Sequence, residues 1–415
     1  MSKINLAKQL GEQLPSDIID FIQKAGEAAE KRQQRLYVVG GVVRDLLLDR
    51  CNTDLDLVVE GDAIKLAQAI AASKKASTTV HTRFGTANLK WASRSVDFIT
   101  ARAENYARPG ALPTVNPGSI HDDLSRRDFT VNSMAIELNP RHYGELIDPF
   151  NGRQDLDKKL VRILHKKSFS DDATRIWRAI RYEQRLDFKI ESETLRLIKR
   201  DIKMLETVSG DRIRHELELV FKEETPEKQL ARAAELGVLE ALHPSLRADD
   251  WQAETFAAAR EKNLPDPTPS PLYLALLCYR LNEKELEQLI KYLRLTKTTA
   301  QVLRDTLAIR EKTQELAAPG LAPSIVYHLL HGYSAAAYIA NSIGSDSETA
   351  SEHIELYLSV LRHVKPALSG KDLEKLGVPI GPEIKDVLQK LREARLDGRI
   401  GTKGEEEEMV RGLSL

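Results

Sequence analysis

The sequence predicts an α+β chain, with an N-terminal head on a mixed sheet of about five strands and an all-helical remainder. Three observations predict it. Apolar, β-branched runs at residues 36–39 and 55–59 flank a Gly-Gly pair and the start of a helix at 42–48. Alternating segments follow at 78–82, 86–91 and 95–100. From Pro226 onward, Ala- and Leu-rich helical spacing dominates, broken at Pro244, Pro265 to Pro271, Pro319 to Pro323 and Pro366 to Pro382, with no repeat of fixed period.

Taken in order, residues 6–32 have apolar positions at helical spacing and predict one or two packing helices before the first strand. Gly40 and Gly41 then let the backbone approach a ligand, and a strand-to-helix turn leaves N–H groups suited to phosphate, with Arg44 one turn further on. Asp54 and Asp56 are two apart, so an extended strand turns both carboxylates to one face. Two such carboxylates repel unless a cation separates them, and Mg²⁺ prefers hard oxygens shared with substrate phosphates, which points to a two-metal nucleotidyl-transfer site. The competing reading of a D-x-D is an edge strand with solvated aspartates; the Gly-Gly-x-x-Arg-Asp turn upstream argues against it. Asp97, on the last of the five strands, is a candidate third carboxylate or an exposed strand residue.

These stretches resemble a family. G-G-V-V-R-D followed by T-D-L-D-L-V-V is similar to the signature of the bacterial-type tRNA nucleotidyltransferases and poly(A) polymerases, within the DNA polymerase β superfamily. The match continues in order with R-R-D-F-T-V-N-S-M-A from Arg126, D-P-F-N-G-R-Q-D-L from Asp148, D-D-A-T-R-I-W-R-A-I-R-Y from Asp171 and G-D-R-I-R-H-E-L from Gly210, and more weakly near Ser369. Ser133 stands where the family commonly has Ala, and Asp171 where it usually has Glu. The resemblance implies a catalytic head at 1–152, a helical neck for base recognition at 153–225, a body at 226–365 and a tail at 366–415, the last two gripping the acceptor stem and T arm of tRNA. It further implies CTP and ATP as substrates. Two Mg²⁺ on Asp54 and Asp56 would activate the primer hydroxyl and stabilise the pyrophosphate.

Residues 101–123, rich in Pro and Gly, are expected to be irregular, the flexible loop of the family, with Arg102, Glu104 and Tyr106 at its base. Arg126, Arg127 and Asp128 are expected to open a helix buried through Phe129, Val131, Met134 and Ile136; by resemblance Arg127 contacts the triphosphate, which a fork of donors suits. Asp172, Arg175, Arg178 and Arg181 recur at spacings of three and are expected along one helix face. An ion pair is the plain reading of Asp172 with Arg175. Beside a nucleotide, a carboxylate that accepts from an exocyclic amine and a guanidinium that donates to ring acceptors can read cytosine and adenine and reject uracil and guanine. Gly41, Arg44, Arg127, Arg178 and Arg181 would then hold the triphosphate, while Arg212, Arg214 and Glu216 brace the pocket.

Composition bounds the rest. The 415 residues exceed one compact core. The 61 basic and 62 acidic residues nearly cancel, but residues 153–222 hold 18 Lys/Arg against 13 Asp/Glu, a local surplus that suggests an RNA-facing surface, with an ordinary solvated helical surface as the alternative. Cys51 and Cys278 form no C-x-x-C, so neither zinc nor a disulfide framework is indicated; a reducing cytoplasm, no membrane span and no protein partner are expected. No His-Asp pair falls in the helix expected at 272–281, so no phosphohydrolase activity is expected. CCA addition is the first reading. An A-adding or CC-adding specialist, a poly(A) polymerase and a catalytically silent RNA-binding relative are the alternatives; the acidic run Glu405 to Glu408 disfavours the polymerase and the intact D-x-D the silent relative.

Overall fold

The computed structural model describes residues 4–74, 76–82, 85–91, 94–105, 114–262 and 270–413. The chain divides into two compact units, Met1–Glu216 with Glu235–Ala241, and Leu217–Ala234 with Leu242–Leu415.

In the first unit, helices α1 (Ala7–Gln13) and α2 (Ser16–Glu30) precede strand β1 (Arg35–Val39), helix α3 (Gly41–Leu47), strand β2 (Leu55–Glu60), helix α4 (Ala63–Lys74) and strands β3 (Ser77–His81), β4 (Thr86–Trp91) and β5 (Arg94–Thr100). These are the elements that the apolar patterns predict. Asp62 caps α4 by accepting from the Lys65 N–H. Strands β6 (Arg102–Asn105) and β7 (Thr114–Pro117) then form a hairpin, followed by helix α5 (Ile120–Ser125), β8 (Ala135–Glu137) and β9 (Leu146–Ile147). The main sheet has seven strands rather than five, in the order β3-β4-β5-β2-β1-β8-β9, antiparallel except where β2 runs parallel to β5.

Two expectations are corrected here. Residues 101–123 are not irregular throughout: their ends pair as β6 and β7, Ser119 and Asp122 form a capping box that starts α5, and the Pro-Gly tip with Tyr106 lies outside the described residues. Arg126 to Asp128 do not open a helix. Arg126 is the C-cap of α5, a single 3₁₀ turn spans Thr130–Asn132, and Ile136 lies on β8, because that segment completes its backbone bonds on the free edge of β1.

Both sheet faces of this unit are partly covered. Tyr37, Val39, Val58 and Ala135 pack under Ile120 and Leu124 of α5 on one face. On the other, α2 and α4 cover β1, β4 and β5, with Phe21 stacked on Trp91 at 4.1 Å. Beyond the sheet come α6 (Gly152–Asp157), the short pair β10 (Leu160–Val161) and β11 (Lys189–Ile190), α7 (Ser168–Asp171), α8 (Thr174–Leu186), α9 (Ser192–Asp201) and α10 (Gly210–Val220).

Every regular element among the described residues of the second unit is a helix, from Pro226–Glu235 to Lys403–Arg411. One apolar core gathers Ile309, Val326, Tyr338 and Tyr357; another gathers Leu368, Leu373, Leu391 and Val410. No helix among the described residues is long and apolar enough to cross a membrane.

Candidate active site

A cleft of about 690 Å³ opens in the first unit, with Asp56, Gly40 and Gly41 at one side and Arg126, Arg127, Arg175, Arg178 and Arg212 among its walls. Alternation along β2 puts Leu55 and Leu57 into the buried layer and leaves Asp56 on the face that carries Val58 and α5. Asp56 pairs in register with Asp97 of β5. Its carboxyl is pushed up to about 6, first by burial and then by the charges of Asp54, Asp97 and Asp123, with Arg127 opposing. Asp54 is exposed just ahead of β2 and borders a separate depression with Trp91 and Arg94. Asp97 accepts from the Asn88 amide at 2.7 Å and lies outside the cleft walls.

Gly40, rather than Gly41, is the position that demands glycine. Its φ is +74°, and a Cβ there would meet an Arg127 guanidinium nitrogen at 2.9 Å, whereas at Gly41 the nearest atoms stand at an ordinary 3.6 Å. Arg44 does not line the cleft. It is buried, with its fork on Asp45 at 2.8 and 2.9 Å and its other nitrogen donating to the Asn132 side-chain oxygen at 2.8 Å.

Arg127 reaches the cleft from the end of α5, where Asp123 aims it: Nη2 donates to Asp123 at 3.0 Å, while Arg126 occupies the other oxygen and also reaches Glu104 of β6 at 3.0 Å. Burial raises the Asp123 carboxyl, but Arg127 and Arg126 outweigh it and leave the group below the usual carboxylate range. Arg175 donates to the Arg126 carbonyl at 2.7 Å and to the Ser168 hydroxyl at 2.7 Å. A continuous run of bonds therefore joins the hairpin base at Glu104 to Arg175.

Asp172 and Arg175 both line the cleft but are not paired and do not share a helix face. Asp172 is extended, at φ −146°, between α7 and α8; one oxygen accepts from the Thr174 N–H and hydroxyl, and the other from Arg212 at 2.7 Å. The local cap on Thr174 competes with helix at this position, so α8 begins after it.

Residues 36–162 match the family described as Poly A polymerase head domain, and residues 187–249 the one described as Probable RNA and SrmB- binding site of polymerase A. An A-adding tRNA nucleotidyltransferase of Halalkalibacterium halodurans is 33% identical over 96% of this chain and 93% of its own length. The chain belongs to the tRNA nucleotidyltransferase family. It also spans 47%, about half, of the length of an A-adding relative from Geobacter sulfurreducens, at 34% identity. A solved CCA-adding enzyme in an apo form superposes with a TM-score of 0.86 at 31% identity, covering 99% of both chains. The Thermotoga maritima CCA-adding enzyme complexed with tRNA gives 0.79 at 31% identity and the same coverage.

The family implies a divalent metal, and the donor set beside β2 fits one: Asp56 is a half-desolvated carboxylate in an excess of negative charge that a hard dication relieves. Among the described residues no three His, Cys, Asp or Glu side chains form a ready cage, so substrate oxygens would complete the coordination.

Of the other expected phosphate ligands, Arg178 lines the cleft with its fork on the buried Asp128 at 2.8 and 2.6 Å, which raises the guanidinium pKa. Arg181 is buried behind the wall, 3.6 Å from Glu216, and burial lowers its pKa. Tyr182 escaped the sequence reading. Its ring lies 5.3, 5.8 and 5.7 Å from the guanidinium carbons of Arg44, Arg178 and Arg181, a convergence of three cations on one ring. Tyr182 stands four residues after Arg178 on α8, the one sequence signal that could have found it.

Proposed function

We propose that the chain adds CMP and AMP from CTP and ATP to the 3′ end of tRNA without a nucleic-acid template, releasing pyrophosphate. The observation that carries this is a carboxylate on a parallel-paired strand in a cleft lined by six arginines, in a chain of this family.

Asp54 and Asp56 would hold Mg²⁺, which supplies an activated primer hydroxyl and charge neutralisation on the leaving phosphates. Arg127 and Arg178 are assigned to the triphosphate, with the Gly41 backbone beside them; the anion meets forks already aimed by Asp123 and Asp128. Arg44 and Arg181 serve the same anion from behind the wall by fixing Tyr182 and adding positive potential. Asp172 and Arg175 are assigned to the base edge, with Arg212 holding Asp172 in place. Residues 1–152 act as the catalytic head, 153–225 as the neck, and 226–365 and 366–415 as the body and tail that hold the acceptor stem and T arm, in the cytoplasm.

A second reading is an A-adding specialist, favoured by the A-adding activity named for both relatives above. Offering tRNA ending at the discriminator base, at C and at CC, with each of four labelled nucleotides, separates them. CCA synthesis appears as two cytidines and one adenosine on the shortest tRNA; an A-adding enzyme labels only the CC-ended one, with ATP. Incorporation on none of the three, with any nucleotide, refutes both.

A further inference from the structure

Asn132 closes the 3₁₀ turn Thr130–Asn132, and its side chain is buried in the cleft wall at 5% exposure. Its amide joins two charged groups of opposite sign. The oxygen accepts from Arg44 Nη1 at 2.8 Å, and the nitrogen donates to Asp128 Oδ1 at 3.1 Å. That Asp128 oxygen also accepts the Phe129 N–H at 2.8 Å, while the other takes both nitrogens of the Arg178 fork. With two bonds on each oxygen, Asp128 has no freedom to turn. On the far side, Arg44 holds Asp45, which accepts from the Asn52 amide at 2.7 Å, and the Asn52 oxygen takes the Asp54 N–H at 2.9 Å. One run of hydrogen bonds therefore joins the main chain at Asp54 to Arg178 on α8.

The centre of this run requires an amide. Arg44 needs an acceptor there and Asp128 needs a donor, and only an amide presents one of each. A carboxylate would satisfy Arg44 and repel Asp128; an alanine would leave both buried charged groups short of a bond. We propose, resting on the phosphate role given to Arg178, that Asn132 is a positioning residue for the triphosphate. By pinning Asp128 it fixes the Arg178 fork relative to the Gly40-Gly41 turn that starts α3. It acts on a phosphate ligand and not on the base, so it serves ATP and CTP alike.

The test measures ATP and CTP affinity of the full chain by equilibrium dialysis in EDTA, so that binding is read without transfer. Asn132→Ala and Arg178→Ala should each weaken both nucleotides roughly tenfold. In the Arg178→Ala background, Asn132→Ala should add less than about twofold, because its effect passes through that arginine. General structural damage would also disturb Arg127, and its cost would persist without Arg178. Asn132→Asp keeps the side-chain shape and the acceptor for Arg44 but loses the donor for Asp128, so it should give the same pattern even if Asn132→Ala fails to fold. Additive losses, a loss confined to one nucleotide, or parental affinity in Asn132→Asp overturns the inference. If Arg178→Ala itself leaves affinity unchanged, the phosphate assignment fails and the inference with it. A parent that shows this binding pattern yet incorporates no nucleotide into tRNA would refute the proposed reaction and leave the positioning role standing.

Discussion

Replacing Asp123 with Asn separates the two arginines that this one carboxylate aims. Asp123 is fully buried, and its two oxygens accept from Arg126 on one side and Arg127 on the other, with the arginine side chains 16% and 15% exposed. Removing one partner of a buried ion pair costs about 3–5 kcal/mol, and because both guanidiniums keep some access to the cleft the lower end, about 3, applies here. For a unit of this size that lowers the midpoint of thermal unfolding by roughly 6–12 °C. The sign with pH follows from the lowered carboxyl. Its contribution is present above the unfolded carboxylate value and lost as pH falls through the still lower folded one, so the gap between parent and variant closes in acid. An Asn offers one acceptor oxygen where two forks compete, so Arg127 loses its aim and KM for ATP rises about tenfold, as expected for about 1.4 kcal/mol of lost phosphate contact. Calorimetry from pH 3 to 7 and steady-state kinetics on CC-ended tRNA read both effects. An unfolding midpoint within 2 °C of the parent's at pH 7, together with an unchanged KM for ATP, would refute the reasoning.

Three further outcomes follow from contacts in the cleft. Tyr182→Leu removes the ring shared by Arg44, Arg178 and Arg181 and should raise KM for ATP roughly tenfold, whereas Tyr182→Phe, which keeps the ring, should stay within twofold. Because Arg212 holds Asp172, Arg212→Ala should relax discrimination against UTP and GTP as Asp172→Ala does, and the double variant should be no worse than either single; additive losses in a misincorporation assay would show the two acting separately. Thr114–Pro117 pairs with Arg102–Asn105, so a deletion aimed at the tip alone has to stop at Pro113. Removing Arg108 to Pro113 should leave cytidine addition within about threefold and stop adenosine addition, since the Glu104–Arg126–Arg175 run would lose its lever. Normal adenosine addition by that variant would make the hairpin a linker.

What the sequence made legible were features with short-range causes. The apolar runs of β1 and β2 are written locally, whereas the two-residue spacing of Asp54 and Asp56 predicts a shared strand face that the structure gives to Asp56 alone, because β2 begins at Leu55. Ser119 and Asp122 form a capping box within a segment whose prolines drew attention to disorder instead. Residues 129–136 were misread because Phe129, Val131, Met134 and Ile136 imitate helical spacing over a short run; only pairing with β1 makes Ile136 a strand residue. The arginine roles depend on partners far away in sequence. Arg212 reaches Asp172 across 40 residues and Arg178 reaches Asp128 across 50, and no spacing rule couples them. Arg44 looked available for phosphate because its neighbour Asp45 gave no hint that it would fold back onto the same fork.

The central claim is that the Asp56 carboxylate and the facing arginines transfer nucleotides to tRNA. Asp56→Ala removes the carboxylate while Leu55, Leu57 and the rest of β2 keep their packing. The most direct measurement is single-turnover incorporation of labelled ATP into CC-ended tRNA by parent and variant, with tRNA affinity measured alongside. The parent should label the tRNA, and the variant should be slower by at least a thousandfold, about 4 kcal/mol of transition-state stabilisation, with tRNA binding retained. Turnover by Asp56→Ala within tenfold of the parent would contradict the assignment.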